Sequence, residues 1–509
     1  MKIAIIGAGF AGLSSAKVLR EFGFDVVVHE KAADVGGVWS RSRRYPGVRT
    51  QNSKGTYRFS DLKMPRSYSQ WPTGRQVQEY LELYTQEYGL EPYLRLNSEV
   101  TEARLLDTED GWDVTTRALD GAMETERFDH VVVANGIFSE PFIPPFEGAE
   151  EFLASGNRIV AASEFHDIED ARGKSVIVLG YGKTSCDVAV PISEAAESTT
   201  VVARALLWKM PRRLGGVLNY KYLMLTRMGE ALFRYQSLHG FEKFLHGPGD
   251  AVRRRMLGSV QSVATRQLNL KELGLVPHGT FEDIGRSTVS LVTEGFYERV
   301  KDGRITVHRD CVVAKLIVRD GVGWAELSNG ETVRADLVVC GTGFRQMVPF
   351  FDEKLNDRLT DEEGNFLLYK QIHPINVPNL TFSGYNSSFF SPLSAEMAAV
   401  WIASHLLGCH KLPPEDERLA FAQAKVAWMA ERTEGHHARG TNIIPFSMHN
   451  VDEVLDEINL NVGVFARFTQ WLGPVRPSAY RFVAKKLKDR AEKRGLLPTD
   501  DSSQAETAV

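Results

Sequence analysis

Two glycine-rich turns, each set between a short apolar run and a helical pattern, constrain the fold of this chain more than any other feature. In the first, the apolar run Lys2–Ile6 leads into Gly7-Ala8-Gly9-Phe10-Ala11-Gly12, and apolar residues then recur at helical spacing. A further apolar run, Val26–Val28, follows. Strand, tight turn, helix and strand in this order form a β-α-β unit with parallel strands. The sequence predicts one such unit here.

The same arrangement occurs a second time, further along the chain. Ser175–Leu179 is followed by Gly180-Tyr181-Gly182-Lys183-Thr184-Ser185, by a helical stretch, and by the strand-like run Thr199–Ala203. Two units of this kind in one chain predict two nucleotide-binding domains. Apolar runs at Val131–Ala134 and Leu337–Val339 predict additional buried strands, and helical patterning dominates from residue 394 onward.

Composition excludes several classes of protein. The chain has 509 residues, of which 43% are hydrophobic and 25% charged, and its formal net charge is -5. These values are ordinary for a globular protein and exclude collagenous and largely disordered chains. Because 60 Lys and Arg residues face 65 Asp and Glu residues, there is no basic excess of the kind that nucleic-acid binding needs. We therefore expect no nucleic-acid partner.

Cysteines and apolar segments bear on the cellular compartment. Cys186, Cys311, Cys340 and Cys409 are far apart and form no C-x-x-C pair, so neither a zinc knuckle nor a dithiol redox motif is available, and no other metal-ligand spacing is present. No window approaches the ~18 uninterrupted apolar residues of a membrane span, and glycine interrupts the first apolar run too early for a signal-peptide core. We expect a cytoplasmic protein with reduced thiols and no transmembrane segment.

The first glycine-rich turn has the spacing of an adenine-dinucleotide site. Gly7 permits the tight turn, Gly9 lets the backbone approach a pyrophosphate, and Gly12 permits close packing of the helix. Glu30 stands at the end of the second strand, where its carboxylate could accept hydrogen bonds from ribose hydroxyls. These four residues are the first predicted cofactor-binding set.

Gly36-Gly37-Val38-Trp39 follows soon after Glu30. Glycine would again let the backbone approach a bound cofactor, and Trp39 would supply a rigid wall. The motif alone is equally compatible with an ordinary turn beside a core tryptophan. We include Gly37, Val38 and Trp39 among the predicted cofactor-binding residues.

The second glycine-rich turn differs from the first in two ways. Ser185 replaces the third glycine, which predicts slightly looser helix packing, and the strand after the helix ends in Ala203-Arg204 with no acidic residue. An acid would repel a 2′-phosphate and a cation attracts it, so Arg204, with Lys183 as a second candidate, favours NADPH over NADH. A solvated cation at a strand end is the alternative interpretation of Arg204. The predicted second site comprises Gly180, Gly182, Thr184, Ser185 and Arg204.

Taken in order along the chain, these motifs resemble the flavin-containing monooxygenase family. The resemblance spans Lys2 to about Arg481 and rests on Gly7-x-Gly9-x-x-Gly12, Glu30, Gly36-Gly37-x-Trp39, Asn52-Ser53-Lys54 with Phe59-Ser60-Asp61, Ala134-Asn135-Gly136, Gly180-x-Gly182 and Gly341-Thr342-Gly343-Phe344. It implies FAD on the first unit, NADPH on the second, and cofactor contacts at Ser53 and Gly343. It also implies a C4a-(hydro)peroxyflavin that oxygenates soft nucleophiles or, in the related Baeyer-Villiger group, ketones.

The sequence resembles both the Baeyer-Villiger branch and the heteroatom-oxygenating branch. The loop Arg44–Arg49 is similar to that of Baeyer-Villiger enzymes, but the aspartate that follows in that branch is replaced here by Gln51. The heteroatom-oxygenating branch places an asparagine against the flavin, and Asn52 is the candidate, with Gln51 the alternative if the register is counted from Lys54. Because both positions carry an amide, N- or S-oxygenation is favoured; Asn52 as a turn-capping loop residue is the alternative without a catalytic role.

The chain departs from the family at the linker fingerprint F-x-G-x-x-x-H-S-x-x-(Y/F). Counting back from Phe165, Ala161 occupies the position of the histidine. In the family this linker couples nicotinamide placement to domain position. The departure leaves open a non-oxygenating flavoprotein, either an NADPH oxidase or a redox-sensing module.

Together these features predict an α/β fold with two Rossmann-like dinucleotide-binding domains, the second inserted into the first, plus inserted and C-terminal helices. The predicted FAD domain comprises 1–155 and 336–495, the NADPH domain 156–335 with helices at about 215–275, and the tail 496–509 is expected to be disordered. The expected partners are a small-molecule substrate and O2. Aromatic and basic residues from Tyr220 to Phe244 suggest packed helices, a substrate-tunnel wall, or weak contact with a membrane surface.

Overall fold

The computed structural model describes residues 1–285, 290–386, 388–433 and 447–498. The chain divides into two compact units. The first comprises Met1–Arg41, Asn52–Ile137 and Gln346–Val509, and the second comprises Ser42–Gln51 and Phe138–Arg345. The second unit is thus inserted in sequence into the first. Most of the predicted disordered tail, from residue 499, lies outside the described residues.

A parallel sheet forms the centre of the first unit. Its strand order is Leu380–Phe382, His130–Val133, Lys2–Ile6, Asp25–His29 and Leu94–Arg95. The valine-rich central strands are buried on both faces, as is usual where helices cover a parallel sheet. The helix Phe10–Glu21 connects the first two strands in sequence and packs against the long buried helix Ser391–Leu406.

The remaining elements of the first unit surround this sheet. Helix Gly74–Glu87 begins at a capping box, in which Thr73 Oγ1 accepts the Gln76 N–H and the Gln76 side chain accepts the Thr73 N–H. The other helices are Glu353–Leu359, Glu415–Thr433, Ser447–Glu457, Val464–Leu472 and Val483–Lys493. The other strands are Ser98–Leu105, Trp112–Ala118, Met123–Phe128, Leu368–Tyr369 and His373–Pro374. Single 3-10 turns are Gly37–Trp39, Glu91–Tyr93 and Pro477–Ala479.

A second parallel sheet forms the centre of the second unit. Its strand order is Thr306–Arg309, Ser198–Ala203, Ser175–Leu179, Leu337–Cys340 and Arg158–Ala161. Helix Lys183–Ala195 follows the second glycine-rich turn and leads into the strand Ser198–Ala203. The second predicted β-α-β unit is therefore present.

Shorter elements complete the second unit. An antiparallel meander is formed by Val313–Arg319, Val322–Leu327 and Thr332–Arg334. The inserted helices are Lys221–Met224, Arg227–Ala231, Phe241–Leu245 and Asp250–Gln267. The other helices are Ala149–Ala154 and Phe296–Lys301, with 3-10 turns Ala162–Glu164, Ile168–Ala171 and Phe281–Gly285. The other strands are Glu140–Pro141, Lys209–Met210, Arg213–Leu214, Leu218–Asn219, Ser290–Leu291 and Phe344–Arg345.

The unit boundaries differ from those predicted at residues 155 and 336. The second unit takes the strand Leu337–Cys340, which pairs with Ser175–Leu179 on one side and Arg158–Ala161 on the other. An apolar run identifies a buried strand but does not tell which of two parallel sheets it joins. The predicted fold class, α/β with one dinucleotide-binding unit inserted into another, is confirmed, whereas the cofactor of each unit stays a prediction.

Candidate functional site

The first glycine-rich turn is too tight for any side chain. Gly7 has a φ of +111°, a region that side chains disfavour, and its N–H donates to the carbonyl of His29 at 2.8 Å. A Cβ on Gly7 would lie 2.5 Å from the carbonyl oxygen of Ala134, and a Cβ on Gly12 would lie 1.7 Å from that of Gly7. Glycine at these two positions is therefore a steric requirement of the turn.

The helix that follows presents its N-terminus without a competing group. Phe10–Glu21 begins at Gly9, has no side-chain cap, and has no acidic residue in its first turn. The N–H groups of a first helical turn have no partner within the helix and carry a partial positive charge, which suits a phosphate. The geometry fits the pyrophosphate of a dinucleotide such as FAD.

Gly36 and Gly37 pack directly on this turn. The Gly36 N–H donates to the Ala8 carbonyl at 3.0 Å, and a Cβ on Gly37 would lie 3.1 Å from the Cα of Gly9. The two glycine segments therefore meet backbone to backbone. The predicted members Gly9 and Gly37 are brought together, and their approach to a cofactor stays a prediction.

Glu30 is held at the edge of the turn by two backbone donors. Its Oε2 accepts the Ala8 N–H at 2.8 Å and its Oε1 accepts the Ala32 N–H at 2.9 Å. Each carboxylate oxygen has lone-pair capacity beyond one bond. Glu30 is thus oriented beside the glycine turn with capacity left for a hydroxyl donor; its contact with a ribose stays a prediction.

An aromatic cluster borders the same turn. Phe10 packs edge-on against Tyr57 and Phe59, with centroid distances of 5.4 and 5.1 Å, and Trp39 packs against Tyr57 at 5.8 Å. Val38 is partly exposed. Sequence reasoning overlooked Phe10, although its place inside the glycine motif was the available signal.

Asn52 and Ser53 are both buried in the first unit. The Asn52 amide nitrogen donates to the Phe389 carbonyl, and the Ser53 hydroxyl lies 3.3 Å from that of Thr56. Lys54 closes the loop that follows, since its Nζ donates to the carbonyls of Arg66 and Tyr68 at 2.7 and 2.5 Å. The Asn52 amide is therefore fixed in orientation.

A buried acid that sequence reasoning also overlooked anchors the end of this segment. Glu396 accepts the Ser60 N–H at 2.8 Å and the Ser60 hydroxyl at 2.6 Å. Burial raises the pKa of Glu396 to about 7, and the neighbouring Asp61 adds to the effect. The available signal was a carboxylate within an otherwise apolar helical run, Ser391–Leu406.

In the second unit, Gly180 forms an equally tight turn. Its φ is +99°, its N–H donates to Val202 O at 2.9 Å, and a Cβ would lie 2.8 Å from Gly341 O. Looser helix packing at Ser185 stays a prediction. The buried Ser185 hydroxyl lies 3.0 Å from Leu179 O and 3.2 Å from Gly341 O, and so links the helix to two strand ends.

Two candidate cations of the second unit differ in their surroundings. Lys183 is paired with the buried Asp187, and its Nζ lies 3.2 Å from Thr293 Oγ1. Lys183 is therefore neutralised, which removes the support it lent to 2′-phosphate binding. Arg204 is exposed directly after the strand Ser198–Ala203, and within the described residues its side chain makes no hydrogen bond or ion pair. Thr184 lies in the first helical turn, with its hydroxyl 3.5 Å from that of Tyr45.

Gln51 belongs to the second unit, whereas Asn52 belongs to the first. Gln51 Oε1 accepts the Leu291 N–H at 2.9 Å, and the Gln51 carbonyl accepts the Tyr220 hydroxyl at 2.7 Å. The Gln51 amide is thus engaged by backbone of its own unit. The Asn52 amide is likewise bonded to backbone of its own unit, and which of the two amides acts on a flavin stays a prediction.

Gly343 and Ala161 also lie in the second unit. Gly343 has a φ of +90°, and its carbonyl accepts the Phe142 N–H at 2.9 Å. Open space surrounds the position of a Cβ on Gly343, so only its backbone conformation requires glycine. Ala161 ends a strand of the second sheet opposite Cys340.

The described residues bear on membrane contact in two ways. Among them, no helix combines the length and apolar character needed to cross a bilayer. In the segment Tyr220–Phe244, Tyr220 is buried, whereas Tyr222, Phe241 and Phe244 are about half exposed. Contact of this segment with a membrane surface stays a prediction.

Comparison with known proteins identifies the family. The family model described as "Flavin-binding monooxygenase-like" matches residues 1–245 and 285–484. The chain belongs to this family. A probable flavin-containing monooxygenase 1 of Arabidopsis thaliana is 25% identical over 504 residues, which cover 90% of this chain and 92% of the relative. The predicted family is confirmed, and with it a flavoprotein monooxygenase whose family cofactors are FAD and NADP.

Solved structures share the fold. An S-allyl-L-cysteine S-oxygenase from Allium sativum has a TM-score of 0.61 at 19% identity, covering 99% of this chain and 96% of its own. A cyclohexanone monooxygenase from Rhodococcus sp. Phi1, bound to NADP+, has a TM-score of 0.66 at 18% identity, covering 90% and 97%. Both likenesses support the two-unit α/β architecture of this flavin-binding monooxygenase-like chain.

We expect Gly12→Ala to abolish FAD retention by this flavin monooxygenase, because the new Cβ would lie 1.7 Å from the Gly7 carbonyl oxygen and must push the turn open. The measurement is the ratio of flavin absorbance to protein absorbance after purification. Gly258→Ala is the matched control, since nothing lies within 4 Å of a Cβ there and Gly258 is inside the helix Asp250–Gln267. Equal flavin content in both variants would contradict the steric requirement.

We expect Glu396 to make the free energy of unfolding pH-dependent. The pKa of Glu396 is raised from 4.5 to about 7 in the folded state, so the folded chain holds a proton that the unfolded chain releases between these values. The stabilisation by protonated Glu396 is therefore complete below about pH 4.5 and is lost as pH rises to about 7, a change of roughly 3 kcal/mol.

The comparison is the difference in unfolding free energy between wild type and Glu396→Gln, measured by denaturant titration from pH 5 to pH 8. We expect this difference to shift in favour of the variant as pH rises. Glu362→Gln, at an exposed position of the same unit, is the control and should show no such trend. A pH-independent difference for Glu396→Gln would contradict the raised pKa.

Proposed function

We propose that this chain is an NADPH- and O2-dependent flavin monooxygenase that transfers one oxygen atom to nitrogen or sulfur in a small organic substrate. The observation that carries the proposal is the buried Asn52 amide, fixed by the Phe389 carbonyl in the unit that holds the first glycine turn. Neither Asn52 nor Gln51 is a carboxylate, and the Baeyer-Villiger pattern has an aspartate here. The first unit binds FAD, and the second binds NADPH.

The residues of the first unit suit FAD. The N–H groups at the start of the helix Phe10–Glu21, which has no side-chain cap, face the pyrophosphate, and the absence of side chains on Gly9 and Gly37 lets their two backbone segments pack together beside it. Glu30 accepts hydrogen bonds from the adenosine ribose, since its carboxylate is held beside the turn. When bound, FAD and NADPH supply the hydride transfer and the oxygen activation, and the protein supplies placement and exclusion of water.

The residues of the second unit suit NADPH. Gly180 and Gly182 shape the pyrophosphate site at the start of the helix Lys183–Ala195, where the N-cap residue Gly182 has no side chain to compete with a bound anion. Arg204 contributes the cation for the 2′-phosphate, because it is exposed at the strand end where an acid would favour NADH. A guanidinium binds a phosphate through two parallel hydrogen bonds.

Asn52 contributes a neutral amide to the flavin site. An amide donates and accepts hydrogen bonds but has no titratable proton. It can therefore hold an oxygen-bearing group without supplying a proton that would decompose that group. The bond from the Asn52 nitrogen to Phe389 fixes the orientation of the amide in advance, which avoids an entropic cost on binding. The likeness to an S-oxygenase from Allium sativum is compatible with this chemistry.

Baeyer-Villiger oxygenation of ketones is the second candidate. It is favoured by the loop Arg44–Arg49 and by the likeness to cyclohexanone monooxygenases. A panel of ketones, tertiary amines and sulfides, assayed with one enzyme preparation, separates the two. N-oxides or sulfoxides without esters or lactones support the proposal, and esters or lactones as the main products support the alternative.

A non-oxygenating NADPH oxidase or redox sensor is the third candidate. The observation in its favour is Ala161, a buried methyl group where the family fingerprint has a histidine. An oxidase converts NADPH and O2 to hydrogen peroxide with no oxygenated product. Peroxide equal to NADPH consumed across the whole substrate panel would support it over both monooxygenases.

We expect Asn52→Ala to keep FAD bound and NADPH consumption measurable, while oxygenated product falls by about 10²-fold and hydrogen peroxide rises to match. The reason is that one positioned donor in a reacting site is worth about 3 kcal/mol, and its loss leaves oxygen reduction uncoupled from transfer. Product and peroxide are quantified in the same reaction.

Gln51→Ala is the matched control, because Gln51 is an amide at the adjacent position whose Oε1 accepts the Leu291 N–H. We expect this variant to retain the ratio of product to peroxide. If Gln51→Ala lowers the ratio of product to peroxide and Asn52→Ala does not, the catalytic amide must be assigned to Gln51 instead. Unchanged coupling in both variants would refute an amide role altogether.

We expect Arg204→Ala to raise the KM for NADPH by about 10- to 100-fold and to leave the KM for NADH unchanged, since a charge-assisted bond to the 2′-phosphate is worth about 1.5–3 kcal/mol. Arg255→Ala, at an exposed arginine of the same unit, is the control. Steady-state kinetics with both nucleotides provide the measurement. An equal loss with NADPH and NADH would contradict 2′-phosphate recognition.

A further inference from the structure

A buried lysine in the second unit has no carboxylate partner. Lys209 is 2% exposed; its Nζ donates to the Tyr181 carbonyl at 2.8 Å and to Ser290 Oγ at 3.2 Å, and it lies 4.8 Å from the Tyr181 ring centroid. Within the part of the chain that the structure describes, no carboxylate pairs with it, and the sequence of residues 286–289, Arg-Ser-Thr-Val, contains none. The buried Cys186 thiol also contacts the lysine, but burial raises the pKa of this thiol, which disfavours a thiolate counter-charge. Burial of an ammonium without a counter-charge is costly, so it calls for a functional reason.

The position of Lys209 in the unit is set by backbone pairing. The short strand Lys209–Met210 runs parallel to Ser290–Leu291, with Lys209 opposite Ser290. This register brings the Ser290 hydroxyl within reach of the ammonium. The lysine side chain then extends to the second glycine turn, where Tyr181 stands between Gly180 and Gly182.

The bond to the Tyr181 carbonyl fixes a peptide plane. In a trans peptide the C=O and the following N–H point in opposite directions, so a carbonyl held toward Lys209 turns the Gly182 N–H away from it. That N–H makes no hydrogen bond within the described residues, and nothing lies within 4 Å of a Cβ on Gly182. Gly182 is the N-cap of the helix Lys183–Ala195. Its N–H therefore stands at a helix N-terminus with no hydrogen-bond acceptor among the described residues.

The first glycine turn holds its equivalent peptide by a neutral donor. Ala8 stands between Gly7 and Gly9, as Tyr181 stands between Gly180 and Gly182, and the Ala8 carbonyl accepts the backbone N–H of Gly36 at 3.0 Å. In both turns, therefore, a donor from another segment holds the carbonyl of the residue between the first two glycines. The second turn does so with a full positive charge in place of an amide.

We propose that Lys209 is a positioning residue for the dinucleotide of the second unit, which orients and polarises the Gly182 N–H toward the pyrophosphate and supplies the charge that the pyrophosphate neutralises. This role rests on the proposed function, in which the second unit binds NADPH. A donor polarised through its own peptide forms a stronger bond, and the ammonium on the carbonyl side of that peptide adds attraction for an anion in surroundings of low dielectric constant.

In this proposal Lys209 and Arg204 act on different phosphate groups of the nucleotide. The pyrophosphate is common to NADPH and NADH, whereas only NADPH carries the 2′-phosphate. Loss of the Lys209 charge should therefore weaken both nucleotides by the same factor, and loss of Arg204 should weaken only the 2′-phosphorylated one. This difference separates recognition of the pyrophosphate from recognition of the 2′-phosphate, and the salt dependence and the charge-retaining variant below separate a role of the charge from a merely structural one.

The test measures the Kd of NADP+ and of NAD+ by calorimetry with oxidised, FAD-loaded protein, for wild type and Lys209→Met. We expect Lys209→Met to raise both Kd values by about tenfold or more, as for loss of a bond to a charged group. The slope of log Kd against log salt concentration should also become shallower, since the site carries one positive charge fewer. FAD content and Tm report on folding.

Two further variants separate charge from hydrogen bonding. Lys209→Gln keeps a donor for the Tyr181 carbonyl but removes the charge, and Lys209→Arg keeps the charge. We expect Lys209→Arg to restore most of the affinity for both nucleotides and Lys209→Gln to remain weakened. If Lys209→Met fails to fold, these two variants decide the question on their own.

Three outcomes overturn the inference. Unchanged Kd values in a folded Lys209→Met or Lys209→Gln variant would show that the charge is not used, and weakening of NADP+ alone would place the charge at the 2′-phosphate instead. Wild-type protein that carries FAD but does not bind NADP+ would overturn this role and the proposed function together. Failure of oxygen transfer with nucleotide binding intact would overturn only the proposed function.

Discussion

The structure depends on turns that leave no room for a Cβ between a strand end and the helix that follows. In the first unit, the carbonyl oxygen of Gly7 occupies the place that a side chain on Gly12 would need. This close approach brings the N-terminus of the helix Phe10–Glu21 against the carboxyl end of the parallel sheet, where its unpartnered N–H groups face outward. Glu30, Gly37 and the aromatic cluster around Phe10 all take their positions from that turn.

The second unit meets the same constraint with different residues. Ser185 takes the place of the third glycine and uses its hydroxyl to link the helix to Leu179 and Gly341. Gly341 in turn must be glycine, because a Cβ there would lie 2.2 Å from Ser185 Oγ. One polar side chain and one compensating glycine therefore replace a direct backbone contact, and Lys209 takes the part that a backbone amide has in the first turn.

Local sequence patterns were sufficient to predict the helices and strands, but they did not predict which distant segments these elements contact. The glycine spacing and the periodicity of apolar residues predicted both β-α-β units and the fold class, because these patterns follow from backbone geometry over few residues. The sheet to which Leu337–Cys340 belongs and the bond from Lys209 to Tyr181 depend on contacts between distant segments. The pairing of Lys183 with Asp187, by contrast, joins residues four positions apart in one helix, a local spacing that the sequence analysis did not use. The bond from Glu396 to Ser60 spans 336 positions, and no local pattern encodes it.

The central claim is that electrons from a nucleotide in the second unit and dioxygen meet at a flavin in the first, with one oxygen atom delivered to nitrogen or sulfur. Mass spectrometry of products formed under 18O2, with NADPH and a mixed panel of amines and sulfides, tests it most directly. The account predicts an N-oxide or S-oxide that carries one 18O atom per molecule of NADPH consumed. Products free of label, or consumption of NADPH with no oxygenated product at all, would contradict it.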